Sequence, residues 1–219
     1  AITEHGGLDV AHANGQLAFT LSLGAEFFQQ IAKLRAARRL WARVMQASGA
    51  ADGAGQAMFL QARPADRMFT VNDPWVNLLR NTAACFAGLV GGAQVVTTLP
   101  FDHAVGRPDA MSRRIARNTL SVLRHESHLD KVLDPAGGAY FLETLTDELS
   151  RKAWALFQQI EAAGGMAQAL SDGLIHAQLD ASHAARLKHI AKRKQPITGV
   201  SEFPNLKEAP VERPARVPI

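Results

Sequence analysis

Apolar positions recur at Phe27, Ile31, Leu34, Trp41 and Val44, with Ala37 filling the gap. Steps of three, four and seven place these side chains on one face of a helix. No Pro or Gly interrupts from Ala25 to Ser48, and Ala, Leu, Gln, Lys and Arg favour the same state. The pattern predicts a long amphipathic helix over 27–44, around which the chain is organised. Before it, 12–23 reads as a short helix ending at Gly24. After it, Gly49 to Gly55 is a flexible loop, and 56–62 alternates loosely, as a buried strand does. Pro64 breaks any regular element over 63–72. Asp73-Pro74 reads as a helix start, with Asp as cap and Pro at the first position. That helix runs to Leu89, with Trp75, Leu78, Leu79, Phe86 and Leu89 inward, and stops at Gly91-Gly92.

The β-branched run 93–99 predicts a second strand. A loop follows to Pro108, then a helix over 109–124 with Met111, Ile115, Leu120 and Leu123 facing a core. Residues 128–133 read as a short strand or extended piece, and Asp134 to Gly138 as a turn. A second long helix covers 142–163, closed by Gly164-Gly165. Two further helices cover 166–172 and 175–191, and a last strand 196–200. Strands alternating with helices predict an α/β class with a parallel sheet. Three or four strands are too few for a closed eight-stranded barrel, which needs about 250 residues.

Composition changes this picture little. The 219 residues are 47% hydrophobic and 20% charged, as in ordinary globular chains. Net charge is +4, yet the aromatics lie in apolar periodic runs with a single Tyr, not interleaved with Lys and Arg, which argues against nucleic acid. Arg35, Arg39 and Arg43 form a row on the long helix, either a solvated face with salt bridges or a surface that meets carboxylates or phosphate. Cys85 is the only cysteine, so an internal disulfide or cysteine-based zinc site is excluded, and a buried, unreactive thiol is expected. No apolar run reaches membrane-spanning length, and AITEHGGLDV carries no leader pattern. A cytoplasmic protein is the expectation. After Phe203 four prolines fall in 16 residues, a tail (204–219) that wraps a surface or is poorly ordered.

Candidate chemistry is sparse. His125-Glu126-Ser127-His128 has an i, i+3 histidine spacing rather than the i, i+4 pair of a zinc helix, so no metal site is expected. Glu126 is the carboxylate expected to be buried. Arg114 and Arg117 suggest structural ion pairs. Asp134 with Gly137 and Gly138 sets a turn rather than a phosphate cradle, since no helix start is read directly after it. No glycine-rich phosphate loop follows any strand.

Five runs carry a family likeness: FFQQIAKLRAARRLWARV, DPWVNLLRNTAACFAGLVGGAQ, SRRIARNTLSVLRHES, DPAGGAYFLETLTDEL and EAAGGMAQAL. In this order, over roughly 26–170 and more weakly to 197–200, they resemble the methylmalonyl-CoA mutase family. The resemblance implies the carboxy-terminal half of a (β/α)8 TIM-type barrel over 1–203, in which an acyl-CoA tail threads the axis. It also implies that the first half of the barrel and the cobalamin-binding domain are absent. In catalytic members a segment of the type His-x-Gln-Thr-Ser-Gly-Trp follows the strand; the positions of its His, Gln and Gly are Gln61, Arg63 and Asp66 here. Their Asp-Glu-Ala, whose Glu is associated with the adenosyl ribose, is Asp102-His103-Ala104. A neutral imidazole offers one acceptor where a carboxylate offers several. Gln61, Arg63, Asp66 and His103 are thus degenerate equivalents of cofactor-binding positions, and no catalytic residue is expected.

The pattern is most similar to the small, non-catalytic subunit of heterodimeric bacterial enzymes. That implies a component or fragment of an adenosylcobalamin-dependent mutase interconverting methylmalonyl-CoA and succinyl-CoA. A catalytic partner subunit, or missing segments of the same protein, would supply cofactor and chemistry; this chain alone is expected to be inactive and to hold no cofactor. Two other readings stay open: part of an active acyl-CoA mutase of divergent specificity, with Arg63 and His103 re-purposed, and a basic binding module for acidic partners. A half barrel would also leave open sheet edges and a bare inner face, so the expectation is that the isolated chain self-associates or that missing segments belong to the same protein.

Overall fold

The computed structural model describes residues 3, 6–51 and 53–215. Residues 1, 2, 4 and 5 of the opening stretch and the last four of the Pro-rich tail lie outside them. Contacts divide the chain into two units. One takes the described residues up to Ser150 and those from Pro210 on; the other is Arg151–Ala209.

The first unit is built on three parallel strands, β1 (Phe19–Leu23), β2 (Leu60–Pro64) and β3 (Val95–Val96), in the order β1-β2-β3. Phe19 stands opposite Leu60 and Leu23 opposite Pro64, while Gln61 and Ala62 pair with Val95 and Val96. Two long helices make the crossovers, α2 (Phe27–Ala47) between β1 and β2 and α3 (Val76–Val90) between β2 and β3. The class is α/β with a parallel sheet. A short helix, α1 (Val10–Gly15), precedes β1 and is capped by Asp9, whose side chain accepts from the His12 N–H at 2.9 Å. Of the helix expected over 12–23, only 12–15 is helical. Its second half, FTLSL, alternates with period two and finds its backbone partners in β2, which favours a strand.

Alternation splits the sheet into unlike faces. Leu23, Leu60 and Ala62 are wholly buried and pack with Leu34 of α2 and Ala84 of α3. Thr20 and Ser22, on the other face, are exposed, and Gln61, Arg63 and Thr97 are half-buried. The uncovered face is mixed, since Val95, opposite Gln61, is 39% exposed beside these polar residues.

Helix α3 reaches the sheet through small and polar residues. Asn77, Asn81, Ala84, Cys85, Ala87 and Gly88 are buried, whereas Leu79 is 71% and Trp75 47% exposed, contrary to their expected inward placement. A Cβ added at Gly88 would lie 2.9 Å from Leu23 Cδ1 and 3.3 Å from Val96 Cγ2, so helix and sheet touch there without side-chain space. The helix begins later than expected: Trp75 stands at the cap and makes no side-chain cap bond. Strand β2 ends on Pro64 instead of being broken by it. Strand β3 is shorter than 93–99: the ladder ends with the Thr97 N–H on Ala62 O at 2.9 Å, and the Leu99 N–H turns to Asn81 Oδ1 at 3.2 Å, while at the other end the Gln94 side chain accepts from the Leu60 N–H at 2.9 Å and donates to Met58 O at 3.1 Å.

Helix α4 (Ala110–Ser121) is capped by Asp109 and runs into a π turn, Val122–Glu126. Leu123 is buried as expected, but Met111 is 59% exposed. Residues 128–133 form turns and bends, not a strand. Asp134 adopts φ 45° and accepts from the Gly137 N–H, the turn expected there. Helix α5 (Tyr140–Ala162) starts at once after it. Its Glu143 accepts from the Gly138 N–H at 3.0 Å and pairs with Arg35 at 2.7 Å, while Arg39 pairs with Asp147 at 2.9 Å. Arg35 also bonds Asp134. The arginine row thus meets carboxylates spaced i, i+4 on α5 of the same chain. In the second unit, α6 (Met166–Ser171) and α7 (Leu174–Ala191) follow, and Thr198 bridges Glu202 where a last strand was expected.

Gly→Ala in a helix ordinarily adds stability. At position 88 the order should reverse: Gly88→Val is expected to cost about 1–3 kcal/mol through overpacking, read as a lower urea midpoint at unchanged slope.

Candidate site at the carboxyl edge of the sheet

In open parallel α/β sheets, ligands are held at the carboxyl ends of the strands. The residues that reach this edge come from β2, from the 3-10 turn Asp66–Met68 after it, and from the loop after β3. Three of the four sequence-selected residues meet there. Arg63 grips Asp66 with both terminal nitrogens at 3.1 Å, and His103 Nε2 bonds the Asp66 Oδ1. Phe69 packs edge-on against the His103 ring, centroids 5.7 Å apart. Gln61 stands one step back, donating to Thr97 Oγ1 at 3.0 Å and accepting from Thr20 Oγ1 at 3.5 Å.

Burial of Asp66 works to raise its carboxyl pKa, but hydrogen bonds from Arg63 and His103 and their charges outweigh it and hold the group below its ordinary 3.8. The carboxylate is anionic, spoken for on both oxygens, and poorly placed to act as a base. Lys33 adds a cation beside the edge, donating to Ser22 O and to Gln30 Oε1 at 2.5 Å. Burial first, and the charge of Arg67 second, lower its pKa. Lys33 thus meets only neutral acceptors, while Asp66 is shared between Arg63 and His103.

Other sequence candidates lie elsewhere or do less than expected. Glu126, expected to be buried, is exposed, as are His125 and His128. Within the π turn Leu123 alone is buried, and His125 and Glu126 face outward. No group of three His, Cys, Asp or Glu able to hold a metal occurs among the described residues. Arg114 and Arg117 make no ion pair to a described residue, so the pairs expected of them are not found there. Cys85 is fully buried between Asn81 and Thr97, and burial pushes its thiol up to about 12. A groove of about 560 Å³ runs beside α3, lined by Leu79, Phe86, Leu123 and Leu129 with no ionisable side chain. No described helix is long and apolar enough to cross a membrane.

Two buried asparagines position the edge. Asn77 Nδ2 donates to Phe101 O and to Thr70 O, both at 2.9 Å, and Asn81 Oδ1 accepts from the Leu99 N–H at 3.2 Å. Two asparagines four apart inside an otherwise apolar helical stripe were a legible signal, since buried amides are kept for the bonds they make. Asp102, with no exposure, pairs with Arg213, a contact across 111 residues that no local pattern announces.

Because the Asp66 carboxyl sits below its unfolded value, its network adds stability above that value and loses it as pH falls through the folded one. In His103→Ala the carboxyl midpoint, followed by 13C NMR, should rise yet stay below the ordinary value through Arg63; an unmoved midpoint would contradict the pairing. Cys85 should resist a thiol reagent at pH about 8 in the folded chain and react fully in urea.

A family model described as methylmalonyl-CoA mutase matches residues 2–217. The chain is 53% identical over 207 residues to the methylmalonyl-CoA mutase small subunit of Streptomyces virginiae, covering 94% of this chain and 33% of that one. It is 42% identical to the small subunit of Propionibacterium freudenreichii subsp. shermanii, covering 94% and 32%. Against the methylmalonyl-CoA mutase of Rhizobium meliloti it is 35% identical, covering 94% and 29%. It spans about a third of the length of the curated relatives it matches. With an α/β core and a match along nearly its whole length, the chain belongs to the methylmalonyl-CoA mutase family.

Proposed function

We propose that this chain is a segment of the non-catalytic subunit of an adenosylcobalamin-dependent methylmalonyl-CoA mutase, in which a partner subunit carries cofactor and chemistry. The observation that carries the reading is the closed ion network of Arg63, Asp66 and His103. These stand at the positions where the family resemblance puts groups for the acyl and adenosyl moieties. An adenosyl ribose asks for a free carboxylate acceptor. Here the Asp66 carboxylate is bonded to both Arg63 and His103, and His103 stands at the ribose-associated position. The residues do not fit the adenosyl group.

Two features support the barrel-half reading. Three strands adjacent in sequence are adjacent in the sheet, with no reversal of order, and both crossover helices contribute to a core on one face. The other face, with Thr20, Ser22, Gln61 and Arg63, would line the axis of a closed barrel. The remaining strands, supplied by the same protein, would then cover the outer edges of β1 and β3. Residues 1–203 would form that barrel segment and 204–219 its tail, in a cytoplasmic heterodimer.

Titrating the chain with adenosylcobalamin, followed by visible absorbance, tests the reading. No saturable change is expected up to about 1 mM ligand; binding at about 1 µM or tighter would overturn it.

A further inference from the structure

Residues 210–215 lie back on the loop that follows β3, and their contacts are of three kinds. Arg213 Nε bonds Asp102 Oδ2 at 2.5 Å, and its Nη2 bonds the cap residue of α4, Asp109, at 2.8 Å. The Arg107 N–H donates to Pro214 O at 2.8 Å. At Gly106 the two backbones nearly touch: an added Cβ would stand 2.6 Å from Pro214 O and 2.8 Å from Arg213 Cβ. The Asp102 side chain has no exposure, and its Oδ1 has no partner among the described residues. Its one described cation is Arg213.

A buried carboxylate stripped of its only cation must take a proton or reach water, and either is costly. The loop's start cannot yield easily, because Asn77 and Asn81 hold Phe101 and Leu99 from α3 and Trp75 stacks on Phe101 at 4.4 Å. Relief has to come from the part after Phe101. His103 is the next residue after Asp102, so a rotation that brings the carboxylate to water carries the imidazole off Asp66.

We propose that residues 210–215 are an ionic latch on the loop 100–108: Arg213 seated on Asp102 and Asp109 holds His103 against Asp66 and keeps the carboxyl edge of the sheet closed. Whatever draws this segment away opens that edge. The latch stands whether or not the chain serves in a mutase, since it depends on these contacts alone.

Two variants open the latch by different routes. Arg213→Ala removes the cation. Gly106→Ala keeps every charge, and its backbone is outside the left-handed region, but its methyl displaces Pro214. The readout is the rate of diethyl pyrocarbonate modification at His103, resolved by peptide mass spectrometry, with the exposed His125 and His128 as internal references. Both variants should raise the His103 rate by about tenfold or more, as expected when a closed segment opens locally, while amide exchange in β2 stays as in the parent. Arg213→Lys should restore part of the protection. His103 rates within about twofold of the parent in both variants would overturn the latch. So would a rise matched by faster exchange throughout β2. If Arg213→Ala does not fold, Gly106→Ala decides by the same criteria.

Discussion

The contact of α3 with the sheet at Gly88 sets the spacing on which the first unit depends. Helix and strands approach until Leu23 Cδ1 fills the place a side chain would take. The consequence is a core in which the helix contributes small residues and the sheet large ones: Ala84 and Gly88 against Leu23 and Leu60. Interiors tolerate little void, so small residues on one side demand large ones opposite. It also explains why the large apolar residues of α3 cannot face inward. At this distance Leu79 would not fit, and it is left on the surface.

The close approach also explains the buried asparagines. A helix pressed against a sheet lies within hydrogen-bond reach of the chain as it leaves the strands, where backbone groups lose their ladder partners. Asn77 and Asn81 supply those partners to Thr70, Leu99 and Phe101. Each bond is worth only about 1 kcal/mol net, but leaving such groups buried and unpaired would cost more. The loop after β3 is therefore held in one conformation by helix α3 before any functional demand is placed on it.

Much of this was legible along the chain, and the gaps have physical causes. The long helices α2 and α5 show in periodicity because each has a stripe sustained over several turns. Strand β1 did not show, because five residues after a short helix give too little signal to separate period two from 3.6. The inward face of α3 differs from its hydrophobic pattern because hydrophobicity ranks Leu79 above Asn77, while steric fit ranks them the other way. The arginine row was seen and its two readings left open; only the positions of Glu143 and Asp147, about a hundred residues on, decide that it meets the chain's own carboxylates. For the site, the family resemblance selected Arg63, Asp66 and His103 one by one, but their mutual pairing is a three-dimensional fact. Asp102 with Arg213 lay beyond any local rule.

Charge balance links the edge network to the latch. The edge has two cationic or potentially cationic partners, Arg63 and His103, on one carboxylate; the latch has one cation between two carboxylates. The two clusters are joined through the peptide between Asp102 and His103, so neither can rearrange alone. A ligand entering the edge would have to break the bonds of Asp66, and desolvating that carboxylate without its partners opposes entry. The closure therefore comes from matched charges on a preorganised loop rather than from bulk filling a cavity. Such a surface can lose ligand chemistry while its packing, which rests on Gly88, Asn77 and Asn81, stays unaltered.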